Sequence, residues 1–310
     1  MGGETAPRPQ ANLCTLGSLQ ELHQPNYHTG MASTTASRLV SEVSEKYAYL
    51  NSLRDPRTFG WSLTGDLRFM LPICFGYLYV VKIAGPRWMM NRKPYNLKGA
   101  IMAYNLFQVI ANAFFFVQYM RLSYVSGNYS VFCQGIDYSL KVYEMEILRI
   151  SWWYLFVRIV DFMDTFFFVA TKKFSHITYL HVVHHFLVVL NGWVYLAFGG
   201  GGQLIMVLCF NTIVHVVMYG YYFLSALGPR VQKHLWWKRY LTRLQIFQIT
   251  FLTLHACIPL VHDCGYPKAL ILIALPQSFV VLGLFINFYI QSYTKKGKPE
   301  LCISQVLKEE

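Results

Sequence analysis

His181, His184 and His185, spelled His-Val-Val-His-His, open an apolar run long enough to cross a membrane. At i, i+3 and i+4 the three imidazoles share one helical face inside that span. A polar group in hydrocarbon costs free energy unless it faces a bundle interior or a water-filled cavity, so the cluster reads as a buried reaction centre. Imidazoles placed there could act as nucleophile, proton carrier or metal ligand. The bland alternative is three histidines satisfied as polar residues at the membrane interface. His215 lies on the next apolar run, with Asn211 one turn before it and Met218, Tyr219 and Tyr222 after it at helical spacing.

Two further stripes accompany these imidazoles. Arg158, Asp161, Asp164 and Thr165 recur on one face of another run, although a charged residue at a span centre costs roughly 2.5–3.5 kcal/mol. Arg158 with Asp161 or Asp164 therefore reads as a neutralised pair that organises the site. Thr242, Gln245 and Gln248 repeat every three residues; for these, interhelical hydrogen bonding of the kind that joins membrane helices is an equally good reading. Cys209 lies off the Asn211 and His215 face and reads as a packed thiol.

The elements that must position these residues are membrane helices. The 310 residues are 55% hydrophobic, 17% aromatic and only 14% charged, outside the range of soluble domains. Seven windows can cross a hydrocarbon core of roughly 30 Å: near 67–83, 101–120, 147–170, 179–198, 204–224, 241–262 and 270–291. The fold class is an all-α membrane protein with seven transmembrane helices. Residues 1–65 form a disordered or loosely ordered N-terminal segment, its first 40 residues rich in Gln, Ser, Thr, Ala and Gly and read as disordered; 66–292 form the transmembrane domain and 293–310 a C-terminal tail. Residues 1–30 hold no apolar run of signal-peptide length, so the first span is expected to target the chain to the membrane. Met31 could also serve as a start.

A net charge of +12 raises nucleic acid binding, but the basic residues are dispersed by loop. Lys82, Arg87, Arg92, Lys93 and Lys98 follow the first span; Lys172 and Lys173 the third; Arg230, Lys233, Lys238 and Arg239 the fifth; Lys295, Lys296, Lys298 and Lys308 the seventh. The intervening loops carry far fewer, which puts the C-terminus in the cytosol and the N-terminus on the opposite side. The basic mouth would attract an anionic ligand such as a phosphorylated cofactor. In this orientation the polar residues converge in the cytosolic half, with Asp164 roughly 9 Å deep, His184 about 8 Å, His215 about 13 Å and Gln245 about 6 Å.

The seven cysteines match no CxxC pattern. Cys133 and Cys264 both fall in non-cytosolic loops, where an oxidising lumen permits a disulfide between them. The same side carries the sequon Asn128-Tyr129-Ser130, a candidate glycosylation site close to the membrane.

Together these motifs resemble the very-long-chain fatty acid elongases, membrane condensing enzymes of the endoplasmic reticulum, over about residues 40–296. The His181 to His185 box is similar to their HxxHH, and His215-Val-Val-Met218-Tyr219-Gly-Tyr221-Tyr222 to HxxMYxYY. Thr242-Arg-Leu-Gln245-Ile-Phe-Gln248, after Trp236-Trp237-Lys238-Arg239-Tyr240, is similar to TxxQxxQ, and Gly85 to Leu97 with Arg92-Lys93-Pro94 also fits. One box departs: where the family usually has KxxExxDT, this chain has Arg158-Ile-Val-Asp161-Phe-Met-Asp164-Thr165. Arginine cannot release a proton as lysine can, which favours a structural and electrostatic role for positions 158 and 161.

The resemblance implies that a long-chain acyl-CoA and malonyl-CoA are joined with loss of carbon dioxide, yielding a 3-oxoacyl-CoA two carbons longer. It points to His184 as the nucleophile, giving an acyl-imidazole, with His215 flanking it. Asn211 is a candidate oxyanion or enolate donor, His181 and His185 hold the tautomer of His184 or relay a proton, and Asp164 could orient an imidazole. Lys172, Lys173, Lys238 and Arg239 would hold the CoA phosphates, with Tyr219, Tyr222, Gln245, Gln248, Arg158 and Asp161 lining the substrate site. No tightly bound cofactor or metal is implied. Spans two to seven would form a six-helix barrel of two inverted three-helix halves. The partners would be the reductases and dehydratase of the same cycle, and the location the endoplasmic reticulum membrane. A membrane di-iron desaturase or hydroxylase also uses HxxHH, but needs about eight histidine ligands in several boxes, and no second box is present. A receptor or transporter fits seven spans without needing the histidine cluster.

Overall fold

The apolar runs become helices. The computed structural model describes residues 30–64 and 67–294 and has no strand among them. The helices are α1 (Gly30–Ser52), α2 (Leu67–Tyr79), α3 (Gly85–Met89), α4 (Lys98–Met120), α5 (Val142–Val160), α6 (Phe162–Ala170), α7 (Tyr179–Phe198), α8 (Leu204–Ala226), α9 (Pro229–Gln232), α10 (Lys238–Ala256), α11 (Ile258–Val261) and α12 (Lys268–Tyr289). Single π-helical turns extend α2, α4 and α12, at Val80–Ala84, Arg121–Val125 and Ile290–Thr294. Among the described residues six helices are long and apolar enough to cross a membrane: Leu67–Met89, Lys98–Val125, Tyr179–Phe198, Leu204–Ala226, Lys238–Val261 and Lys268–Thr294. The protein is a multi-pass membrane protein.

The remaining expected span differs from these six. Its residues form α5 and α6, separated by a turn at Asp161, and α5 alone carries Glu144, Glu146, Arg149 and Arg158. Those charges keep it below the hydropathy of its neighbours. Two contacts mark the break: the Asp161 amide still bonds Val157 at 3.0 Å, whereas the Asp164 amide bonds the Asp161 carbonyl at 3.1 Å, one residue short of an α-helical step.

Residues 1–52 and 53–310 form separate units. In the second, α4 lies along α8 and touches α5; α5 packs on α7, α7 on α12, α12 on α10, and α10 on α8. α2 rests against α7, and α3 against α6. The core between α4, α5, α7 and α8 is aromatic and aliphatic, with Phe115, Tyr119, Leu148, Tyr154, Leu155, Val189, Trp193, Leu196 and Ile205 buried beside Cys209.

The stretch expected to be loosely ordered up to residue 65 contains α1 and, at 53–64, a strap fastened to the end of α7. The Asp55 amide donates to the Ala197 carbonyl at 2.8 Å, and the Thr58 hydroxyl to Leu196 at 2.6 Å. Arg57 donates to Asp55 at 2.7 Å and to the Gly200 carbonyl at 2.9 Å. Burial of the Arg57 guanidinium works against its charge, but the hydrogen bond and charge of Asp55 outweigh it and raise the pKa above the ordinary arginine value. The order of this strap is not legible in its own residues, because Arg57 and Thr58 are satisfied in part by carbonyls more than a hundred residues away. Residues 1–29 and the tail from 295 lie outside the described residues.

Three loops meet at the same end of the bundle as this strap. Gln203 accepts from the Gln134 amide at 2.8 Å and donates to the Phe132 and His255 carbonyls at 3.2 and 3.1 Å. Cys133 and Cys264 are joined by a disulfide. Gly201 and Gly202 have positive φ, and Gly135 sits so close to the Cys264 carbonyl that an added Cβ would lie 2.1 Å from its oxygen. Gly135→Ala should cost about 1–3 kcal/mol through overpacking against backbone that cannot swing aside. A lowered thermal unfolding midpoint in detergent is the expected result; an unchanged midpoint would show that these loops can separate freely.

Candidate active site

A buried arginine gathers the polar residues of α4, α5 and α8. Arg158, near the end of α5, is 1% exposed, and its guanidinium has three polar partners on three elements. Nη1 lies 3.1 Å from Asp161 Oδ2 and 2.8 Å from His215 Nδ1; Nη2 donates to Asn112 Oδ1 at 2.9 Å. The guanidinium carbon stands 4.8 Å from the Tyr154 ring centre. A guanidinium has only donors, so His215 Nδ1 must accept, and the proton of the neutral ring sits on Nε2.

The carboxylates are held from α4 and α8. Gln108 donates to Asp161 Oδ1 at 2.6 Å, while Asp164 Oδ2 accepts from Tyr219 at 2.8 Å and Tyr104 at 3.2 Å. Asp164 was expected to orient an imidazole; in the structure its bonds go to these two phenols. The adjacent Thr165 makes the histidine contact instead, with Oγ1 2.7 Å from His181 Nε2 and 3.0 Å from the Tyr77 hydroxyl. The one-residue offset follows from the helical turn of about 100° per residue, which points Asp164 toward α8 and Thr165 toward α7.

The three box histidines start α7 just past its N-cap, where the Thr178 hydroxyl accepts from the His181 amide at 3.2 Å. The rings of His181 and His185 are 4.3 Å apart, and those of His184 and His185 5.8 Å. His184 also meets the edge of Phe285 on α12 at 5.9 Å. Its Nδ1 is buried with no hydrogen-bond partner in the structure. Asn211 Oδ1 accepts from Tyr154 at 2.7 Å, which leaves its amide nitrogen as the donor.

His184, Asn211 and Gln248 lie on the wall of a cavity of about 260 Å³. The cavity runs between α7, α8, α10 and α12 and is otherwise mostly apolar, reaching Tyr195, Leu204, Thr253, Ala256, Tyr266 and Leu270. His181, His185, His215 and Asp164 are not among its lining residues. Gln245 donates to Met218 Sδ at 3.3 Å, and the Tyr222 ring packs edge-on against Tyr219 at 5.9 Å. Lys173, Lys238 and Arg239 are exposed near the ends of α6 and α10, Arg239 over the Tyr240 ring, and Lys172 reaches the Met90 carbonyl at 3.3 Å. These cations share the bundle end with the start of α7 and do not touch the cavity. At the other end, the Asn128 amide nitrogen donates to Leu122 at 3.0 Å and Ser126 at 2.8 Å, both within its own turn. Among the described residues no group of three or more His, Cys, Asp or Glu side chains is placed to hold a metal ion.

Tyr104, Gln108 and Asn112 are site residues that the sequence reading passed over. They recur at i, i+4 and i+8 on α4, a spacing that could have revealed them as one polar face.

The fold and site define a multi-pass helical membrane protein whose buried polar centre opens onto one end of an apolar cavity. The chain belongs to the ELO family, also described as the GNS1/SUR4 family, whose sequence profile matches residues 62–301. It is 38% identical over 255 residues to a very long chain fatty acid elongase of Aedes aegypti, covering 82% of this chain and 71% of that one. It is 37% identical over 273 residues to human very long chain fatty acid elongase 4, covering 87% and 86%. With rat very long chain fatty acid elongase 7 the identity is 38% over 243 residues, covering 78% and 86%.

Arg158→Met should destabilise the protein by about 3–5 kcal/mol, because it strands the buried Asp161 carboxylate. Adding Asp161→Asn should recover part of that loss. Thermal midpoints of the two single variants and the double variant measure the coupling, and strict additivity would contradict the pairing.

Proposed function

We propose that the protein is a condensing enzyme of fatty acid elongation, converting a long-chain or very-long-chain acyl-CoA and malonyl-CoA into a 3-oxoacyl-CoA, carbon dioxide and free CoA. One observation carries this reading: His184, alone among the box histidines, lines the apolar cavity, and one of its ring nitrogens is buried without a partner. A neutral imidazole with an uncommitted nitrogen can attack a thioester carbonyl. The new C–N bond replaces the C–S bond, CoA leaves as the thiol, and the acyl chain lies along the cavity. Malonyl-CoA then loses carbon dioxide, the resulting enolate carbon bonds the acyl carbon, and the C–N bond breaks to return His184.

The surrounding groups suit that sequence. His215, with its proton on Nε2, is a hydrogen-bond donor for a carbonyl or enolate oxygen, and Arg158 holds it so. The Asn211 amide nitrogen supplies a second donor, oriented by Tyr154. His181 and His185 pass the proton gained or lost by His184. Lys172, Lys173, Lys238 and Arg239 take the CoA phosphates at the basic end, where charge is not desolvated.

In this reading α5 with α6 is a seventh crossing. The neighbour order of α4, α5, α7, α12, α10 and α8 supports a six-helix barrel of two inverted three-helix halves, with α2 outside. The basic end and C-terminus face the cytosol. The disulfide end, Asn128 and the N-terminus face the lumen of the endoplasmic reticulum. Glycosylation of Asn128 would require release of its two local hydrogen bonds. The protein would bind its two CoA substrates without a resident cofactor, and its product would pass to a reductase.

Purified protein given radiolabelled malonyl-CoA and a panel of acyl-CoAs should incorporate label, and His184→Ala should lose about a thousandfold or more of that activity. Incubated with acyl-CoA alone, the wild type should gain the mass of the acyl group and His184→Ala should not. Full activity in the variant would remove His184 as nucleophile; iron-dependent oxygen consumption in place of label incorporation would replace the reaction altogether.

A further inference from the structure

The helix α2 packs beside α7 through a small apolar patch in which Tyr77, Val81 and Val182 are buried and Leu78, Phe162 and Ile177 flank them. Among these side chains the Tyr77 hydroxyl is the only polar group. The ring lies flat on Phe162, with centres 4.0 Å apart and planes 9° from parallel. Held there, the Tyr77 hydroxyl stands 3.0 Å from Thr165 Oγ1, and Oγ1 stands 2.7 Å from His181 Nε2. A helix outside the Arg158 network thus reaches the first box histidine through one intervening hydroxyl.

Thr165 differs from other helical threonines of this chain. Thr171, Thr212, Thr250 and Thr253 each donate to the carbonyl four residues back on their own helix. Thr165 is fully buried, and both contacts of its hydroxyl cross to other helices. The neighbouring Asp164 does not compete for these protons, because its Oδ2 is taken by Tyr219 and Tyr104.

Counting donors fixes the direction of the chain of bonds. Tyr77 is 6% exposed, and among the described residues its hydroxyl meets no other acceptor, so its proton goes to Thr165. Thr165 then spends its own proton on His181, and Nε2 must accept. The neutral His181 ring therefore carries its proton on Nδ1, with the centre of the His185 ring 4.3 Å away.

We propose that Tyr77 is a positioning residue of the site: through Thr165 it fixes the tautomer and orientation of His181, and so decides which nitrogen carries the proton passed among the box histidines. The consequence for turnover rests on the condensing reading above, whereas the tautomer does not. By this assignment α2 is a working part of the site as well as a membrane helix.

Tyr77→Phe deletes one oxygen and keeps the ring on Phe162, so it isolates the hydroxyl. With labelled malonyl-CoA, its kcat should fall about tenfold while KM for both CoA substrates stays within about twofold. Thr165→Val should lose at least as much, and Thr165→Ser, which retains the hydroxyl, should recover most of that loss. The double variant Tyr77→Phe/Thr165→Val should be no slower than Thr165→Val alone, since both changes break one chain. Undiminished kcat in Tyr77→Phe, or a change confined to KM, would overturn the proposal; losses that multiply in the double variant would overturn the route through Thr165. Nitrogen NMR of histidine-labelled protein, with the His181 signal assigned by its loss in His181→Gln, reads the tautomer without turnover. The wild type should show protonation at Nδ1, and Tyr77→Phe a mixture of both tautomers; identical spectra would refute the role of Tyr77. A wild type that incorporates no label but shows this spectral change would sink the condensing reading and leave the tautomer assignment standing.

Discussion

A positive charge that cannot be discharged sits in the middle of this bundle, and the helices around it are arranged to meet its needs. Arg158 keeps its charge, so its guanidinium calls for an acceptor, a carboxylate or a π face; Nη1 and Nη2 have such partners, whereas Nε is buried without one. Asp161 supplies the countercharge, Asn112 and His215 the acceptors, and Tyr154 the ring. Tyr154 and Asp161 belong to α5 and its end, but Asn112 comes from α4 and His215 from α8, so the arginine sets the register of α4 and α8 against α5. It also selects the tautomer of His215, leaving Nε2 as that ring's donor.

The polar and apolar halves of the interior are segregated along the bundle axis. At one end Tyr104, Gln108, Asp161, Asp164 and Tyr219 form a network in which each group meets at least one partner. His184 stands at its border, sharing one face with the other imidazoles and another with the cavity. Polar networks in a low-dielectric interior are stable only when satisfied, and Nδ1 of His184 is an exception to that rule at the point where a substrate would arrive.

Much of this was legible in the residues. Long apolar runs dictate membrane helices because no other backbone arrangement short of a barrel of strands satisfies its own hydrogen bonds in lipid. The i, i+3, i+4 spacing of the histidines and the stripe from Asn211 to Tyr222 fall on helices, α7 and α8, as the spacing implies. What escaped was pairing across the bundle. Asp164 reads as a partner for imidazole from its neighbourhood in the chain, whereas phenols from α4 and α8 reach it first. The α4 stripe of Tyr104, Gln108 and Asn112 went unread because its partners, Asp164, Asp161 and Arg158, are distant in sequence. The strap at 53–64 was hidden for the same reason, its order depending on carbonyls that only the folded end of α7 presents.

The disulfide joins positions 131 residues apart and encloses α5 through α11 in one covalent ring of polypeptide. Every histidine of the site belongs to that ring, whereas α4 precedes it and α12 follows it in the chain. A protease that cut once in the loop after α6 or after α8 would therefore leave two fragments still tethered, separable only after a reductant had opened the sulfur bridge.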